Sequence, residues 1–168
     1  MVIWILGLSG SGKSYLSTKL KDVLQNDQEK FLILDGDVIR NVFDNDLGFS
    51  IEDRNINASR ISKLALFLNQ NNINVIVSVL SLFPEWLKWN RSNIKEYYEI
   101  FIDVPVSILK NRNIRNVYFQ DGIKNRDVVG VDIEFIKPRK PDLTIKNNFD
   151  DISLKKNLEA IKNLIKND

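Results

Sequence analysis

The chain has 168 residues, of which 43% are hydrophobic and 27% charged, enough for one domain with a sizeable buried core. Its 24 basic and 22 acidic residues leave a net charge of +2, too small for a dedicated polynucleotide binder. It has no Cys and no His, which excludes disulfides, thiolate chemistry, the usual zinc sites and a histidine general base. Acid–base and metal work falls to carboxylates, hydroxyls, Lys and Arg.

Residues 2–6 are an apolar run that reads as a buried first strand. The run lacks the basic flank and length of a signal peptide, and no apolar run approaches the ~18–20 residues that cross a bilayer. The cytoplasm is therefore the default compartment, with no membrane partner. Residues 14–24 read as a helix, with Leu16, Leu20, Val23 and Leu24 at helical spacing. Residues 31–34 read as a second strand and 38–43 as a short helix. A long helix is expected over 52–71, carrying Ile56, Ile61, Leu64, Ala65 and Leu68 on one side. The β-branched run at 74–80 reads as a central strand. A further helix lies within 84–98, with Pro84 near its first turn, followed by a fourth strand at 99–104 and a helix at 106–112. A short fifth strand at 143–145 and an amphipathic helix at 152–165 close the chain.

Continuous apolar strands alternating with helices predict the α/β class: a three-layer sandwich whose mostly parallel five-stranded sheet is covered by helices on both faces. No linker or internal repeat divides the chain, so residues 1–168 read as a single domain. Between 113 and 141 the sequence is polar and weakly periodic, with Asp121-Gly122, Gly130, Pro138 and Pro141. A stretch that long inside a compact domain is usually functional, and residues 113–132 read as a mobile lid.

Gly7-Leu8-Ser9-Gly10-Ser11-Gly12-Lys13-Ser14 matches G-x-x-x-x-G-K-[ST], between a predicted strand and a predicted helix. In that context the pattern is a P-loop. Its glycines let backbone N–H groups face a concave nest, and the helix N-terminus adds partial positive charge. Lys13 can reach the β- and γ-phosphates of ATP, and the Ser14 hydroxyl can ligate Mg²⁺. The second strand ends in Asp35-Gly36-Asp37, beyond the carboxyl end of a parallel strand, where α/β sheets bind ligands. One carboxylate can organise the metal and the other can take a proton from an attacking hydroxyl.

These segments resemble adenylyl-sulfate (APS) kinases in order and spacing. The resemblance includes Leu34 to Asp37 with Arg40, Leu47-Gly48-Phe49-Ser50 with Asp53, Arg54 and Asn57, and Ser81 after the third strand. It continues through residues 101–105, Arg112, Tyr118 and Gly130-Val131-Asp132, and so spans most of the chain. It implies a P-loop kinase fold and transfer of the γ-phosphate of ATP to a ribose 3′-hydroxyl, with Mg²⁺. It further implies that Gly7, Ser9, Gly10, Ser11, Gly12, Lys13, Ser14 and Arg112 serve ATP, and that Ser14 and Asp35 serve the metal. Lys13, Asp35 and Asp37 would be catalytic, Asp37 being the favoured base. Asp37, Arg40, Phe49, Arg54, Asn57, Ser81 and Val128 would meet a small nucleotide acceptor, with the arginines as phosphate clamps and Phe49 stacked on the base. A homodimer is the implied assembly.

The departures from that pattern gather at the acceptor side. After the third strand the family has Ser-Pro and arginines, where this chain has Ser81-Leu82-Phe83-Pro84-Glu85-Trp86 and no arginine until Arg91. Two lid lysines are missing from Arg115-Asn116-Val117-Tyr118-Phe119-Gln120. Two residues before the lid glycine the family carries an aromatic that closes a sandwich around the acceptor base, and this chain has Val128. Base–aromatic stacking is worth about 1–3 kcal/mol, so the loss points to a different acceptor. The favoured one is cytidine diphosphoramidate, used in capsular phosphoramidate decoration. The alternative is an ordinary adenylyl-sulfate kinase, with Trp86 or Phe119 supplying the missing ring. A non-catalytic nucleotide-binding module is disfavoured by the intact Asp35 and Asp37. A regulatory GTPase is disfavoured because no Asn-Lys-x-Asp motif occurs.

Overall fold

The computed structural model describes residues 1–25, 30–80, 82–120, 123–124 and 127–166. Every residue of β1 (Val2–Leu6) is buried, as a strand covered on both faces requires. The strand runs into the P-loop and then α1 (Lys13–Leu24). The chain continues through β2 (Phe31–Asp35), α2 (Gly36–Val42), α3 (Ile51–Gln70), β3 (Asn74–Val79), α4 (Pro84–Asn93), β4 (Tyr97–Ile102) and α5 (Val106–Arg112). Two short strands follow, β5 (Phe119–Gln120) and β6 (Ile123–Lys124), then β7 (Leu143–Ile145) and α6 (Asp151–Lys166).

Five strands form one parallel sheet in the order β2-β3-β1-β4-β7, as the sequence predicts. Val2 lies level with Val75 on one side and Tyr97 on the other. Alternation along the strands sends Ile3, Ile5, Ile76, Ile100 and Ile102 to one face, against Leu16 and Leu20 of α1 and Ile161 of α6. Val2, Trp4, Val75, Val77 and Phe101 fill the opposite face with Ile61 and Ala65 of α3. The three layers of the α/β sandwich are thereby complete.

Several boundaries differ from the sequence reading. β4 begins at Tyr97 rather than 99 and ends at Ile102 rather than 104. Both tyrosines are buried and paired to β1, and the Tyr97 ring lies 6.1 Å from that of Trp4. Glu99 interrupts the apolar pattern and hides the strand's true start. α2 begins at Gly36, two residues before the expected 38, because the Asp35 carboxylate caps it by accepting the Asp37 N–H at 3.0 Å. α3 begins at Ile51, where the Ser50 hydroxyl accepts the Asp53 N–H at 3.1 Å. The described residues of the polar stretch after α5 also carry more regular structure than their composition suggests. It carries a 3₁₀ turn at Ile114–Asn116 and the antiparallel pair β5–β6, and it places Tyr118, Val128 and Val129 in the core.

A charged cluster ties the β7 side of the sheet to α4. Arg91 donates to both carboxylate oxygens of Asp142 at 3.0 Å, and the Glu99 N–H donates to Asp142 Oδ2 at 2.7 Å. Glu99 is buried, with Arg91 and the Tyr97 hydroxyl each 3.5 Å from its Oε2. Burial pushes its carboxyl above the usual range, and the Arg91 charge opposes that shift.

Candidate active site at the carboxyl end of the sheet

The P-loop turns on residues that only glycine accommodates easily. Gly10 and Gly12 have φ of 79° and 96°, and at Gly12 a side chain would collide with the Asn147 amide. The loop opens onto a cleft of about 520 Å³, lined by Ser9, Gly10, Gly12, Lys13 and Ser14 together with Asp35 and Asp37 from the β2 end. A volume of that order suits a nucleotide-sized ligand. Gly7 and Ser11 support the loop from behind, and the Ser11 hydroxyl is buried without a partner among the described residues. Lys13 Nζ donates to the Leu8 carbonyl at 2.9 Å. The Ser14 hydroxyl donates to Asp35 Oδ2 at 2.7 Å. These hard oxygen donors beside a phosphate nest fit Mg²⁺, which takes one or two protein ligands and completes its shell with phosphates and water. Among the described residues no group of three or more acidic side chains could hold a metal by itself.

Arg112, expected at the donor nucleotide, lines the same cleft, with its guanidinium 3.6 Å from the ring centroid of Phe149. Two residues that the sequence reading did not assign to the donor site line this side. Asn147 and Phe149 line the cleft from the loop after β7, and the Asn147 amide donates to the Ser11 carbonyl at 2.9 Å. The Tyr118 hydroxyl, buried against the core, donates to the Ser9 carbonyl at 3.0 Å, and burial pushes its phenol up. The only pointer to the first two was their position just beyond the carboxyl end of a parallel strand.

Of the expected acceptor residues, Asp37 lines the main cleft, whereas Arg40, Phe49, Arg54 and Asn57 gather around the α2–α3 connection, outside that lining. Phe49 is 60% exposed, with the guanidinium of Arg40 4.9 Å and that of Arg54 5.4 Å from its ring centroid. Arg40 is buried and donates to the carbonyls of Gly48 at 2.6 Å and Leu47 at 3.3 Å. Arg54 donates from Nε to the Phe49 carbonyl at 2.7 Å. The two arginines therefore grip the turn that presents the ring, in addition to supplying charge. Burial lowers the proton affinity of both, and the Arg40 charge further lowers that of Arg54. Asn57 is buried one turn further along α3 and donates to the Gly36 carbonyl at 3.4 Å, while its Oδ1 has no partner among the described residues. Val128 is only 7% exposed and packs in the core, its N–H bonded to Asp132 at 3.1 Å. It is not among the residues lining the cleft. Ser81 lies outside the described residues, as does part of the segment 113–132.

Known proteins resemble this chain over most of its length. The family model for adenylylsulphate kinase matches residues 1–146. The chain is 34% identical to an adenylyl-sulfate kinase of Buchnera aphidicola subsp. Schizaphis graminum, over 98% of this chain and 78% of that one. It is 37% identical to a cytidine diphosphoramidate kinase of Campylobacter jejuni, over 98% of this chain and 93% of that one. The fold superposes with a TM-score of 0.86 on the Mycobacterium tuberculosis APS kinase CysC in complex with AMPPNP and APS, covering 98% and 96% of the two chains at 27% identity. The P-loop, the Ser14–Asp35 pair and these likenesses lead to one conclusion: the chain belongs to the adenylylsulphate kinase family of phosphotransferases.

Proposed function

We propose that the protein transfers the γ-phosphate of ATP to the ribose 3′-hydroxyl of a small nucleotide, with cytidine diphosphoramidate as the favoured acceptor. The observation that carries the acceptor is the one-sided platform at Phe49. Its ring is flanked by two guanidiniums and, among the described residues, by no second aromatic ring. Val128, where a second ring is expected for an adenine sandwich, is aliphatic and buried. A smaller pyrimidine base loses less from an open face than adenine does. The 37% identity to a kinase named for this acceptor supports the same reading.

In the proposed reaction the acceptor 3′-oxygen forms a bond to the γ-phosphorus, the bond from that phosphorus to the β–γ bridging oxygen breaks, and ADP leaves. Asp37, on the first turn of α2, accepts the hydroxyl proton. Lys13 and the P-loop amides hold the phosphates, and Arg40 and Arg54 orient the acceptor's anionic group through Phe49 and their own charge. Ser14 and Asp35 would hold Mg²⁺, which when bound supplies neutralising charge at the transferring phosphoryl. Closure of residues 113–132 as a lid would exclude water and prevent wasteful hydrolysis.

The test is a coupled ADP-release assay with each acceptor in turn. A kcat/KM higher for cytidine diphosphoramidate is the expected result. Efficient turnover with clear preference for adenylyl sulfate would replace this acceptor by that one while leaving the kinase assignment intact.

A further inference from the structure

Phe149 is a bulky side chain on a left-handed backbone, with φ of 62°. Residues other than Gly, Asn and Asp rarely adopt that conformation, and it persists only where the surroundings impose it. Here the imposing contact is visible. The Asn147 Oδ1 accepts the Phe149 N–H at 2.9 Å, while the same side chain's Nδ2 donates to the Ser11 carbonyl of the P-loop at 2.9 Å. The loop is fixed at both ends as well. The Asn157 amide donates to the Lys146 carbonyl at 2.8 Å, and the Asp150 carboxylate accepts the Ser153 N–H at 2.6 Å at the start of α6. The turn delivers the Phe149 ring to the cleft wall, with the Arg112 guanidinium carbon 3.6 Å from its centroid.

We infer that Asn147 is a positioning residue for the donor nucleotide: a single amide locks the Phe149 ring to the P-loop, so that the surface receiving the base and the nest receiving the phosphates are held at a fixed separation. Phe149 and Arg112 form the base-facing wall, and Asn147 acts through Phe149. A flat aromatic wall held in place before binding spares the nucleotide the cost of ordering it. The inference concerns the donor side alone and does not depend on which acceptor is used.

The test is a direct binding titration of the full chain with ATP and with inorganic tripolyphosphate, which offers phosphates without a base. Asn147→Ala is expected to weaken ATP roughly 10-fold, the scale of one lost base–aromatic stack, and to weaken tripolyphosphate less. Phe149→Ala is expected to give a similar loss for ATP, and the double substitution no further loss, since both act on one wall. Asn147→Asp keeps the acceptor for the Phe149 N–H but loses the donor that ties it to Ser11, so it is expected to lose part of the preference for ATP over tripolyphosphate. Unchanged ATP affinity in Asn147→Ala, equal losses for the two ligands, or additive losses in the double substitution would overturn the inference. Should Asn147→Ala not fold, an unchanged preference for ATP over tripolyphosphate in Asn147→Asp would do the same.

Discussion

The Ser14 hydroxyl and the Asp35 carboxylate meet at 2.7 Å, joining the first residues of α1 to the end of β2. The contact brings together two motifs 21 residues apart in the chain, and it places the P-loop hydroxyl against the carboxylate that also caps α2. Removing the hydroxyl with Ser14→Ala is expected to raise the Mg²⁺ concentration for half-maximal ADP release by about an order of magnitude, as loss of a charge-assisted ligand interaction would. Nucleotide affinity measured without Mg²⁺ should stay close to that of the unaltered chain. A superimposable Mg²⁺ dependence would remove Ser14 from the metal site.

Asp37→Asn is expected to lower kcat by roughly 10²–10⁴, the usual contribution of a positioned general base. The backbone N–H of residue 37 still reaches Asp35, so the α2 cap is preserved and ATP binding should change little. Rates close to those of the unaltered chain, read by ADP release, would transfer the proton-accepting role elsewhere.

Phe49→Ala should raise the KM for the acceptor by roughly 10-fold, with the KM for ATP unchanged, because stacking on one face is worth about 1–3 kcal/mol. Arg40→Ala should reproduce part of that effect, since Arg40 holds the Leu47 and Gly48 carbonyls and lies under the ring. Combining the two should cost less than the sum of the single effects if Arg40 works through the ring. Strict additivity, seen in acceptor saturation curves, would instead make Arg40 an independent ligand.

Glu99 offers a test that does not depend on activity. Its folded-state pKa is raised, chiefly by burial. A raised carboxyl contributes stability that is fully present below its unfolded value and is lost as pH rises through the folded value. Thermal unfolding of Glu99→Gln should therefore gain on the unaltered chain between acidic and mildly basic pH. A difference in Tm that is flat across that range would show that Arg91 and Tyr97 fully compensate the buried charge.

The parts of this fold most legible in the sequence were those whose physics is local. The buried run at 2–6, the glycines that open the phosphate nest and the β-branched strand read at 74–80, which ends at Val79, announce themselves through composition and spacing. Asp35 was readable as a site residue, yet its capping of α2 shifted the helix start. Tyr97 was hidden because two tyrosines followed by Glu99 do not look like a covered strand until Trp4 and Arg91 are seen beside them. Asn147 was beyond reach for a different reason: its partner Ser11 is 136 residues away, and only the fold makes them neighbours. Arg40 was found as a site residue, but its grip on the Leu47–Gly48 carbonyls depends on the path of a turn that sequence alone does not specify.

The strand order β2-β3-β1-β4-β7 has a consequence for how such an enzyme can change its substrate. β1 and the P-loop sit on the midline. To one side, the connections of β2 carry Asp37, Arg40, Phe49 and Arg54. To the other, the connections of β4 and β7 carry Arg112, Asn147 and Phe149. The sheet thus holds most of the residues expected at the two substrates on opposite sides of the phosphate nest, although Val128, also expected at the acceptor, lies in the connection between β4 and β7. Substitutions on the β2 side can retune the acceptor while the donor half stays untouched, so a lineage can acquire a new nucleotide to phosphorylate without relearning how to hold ATP.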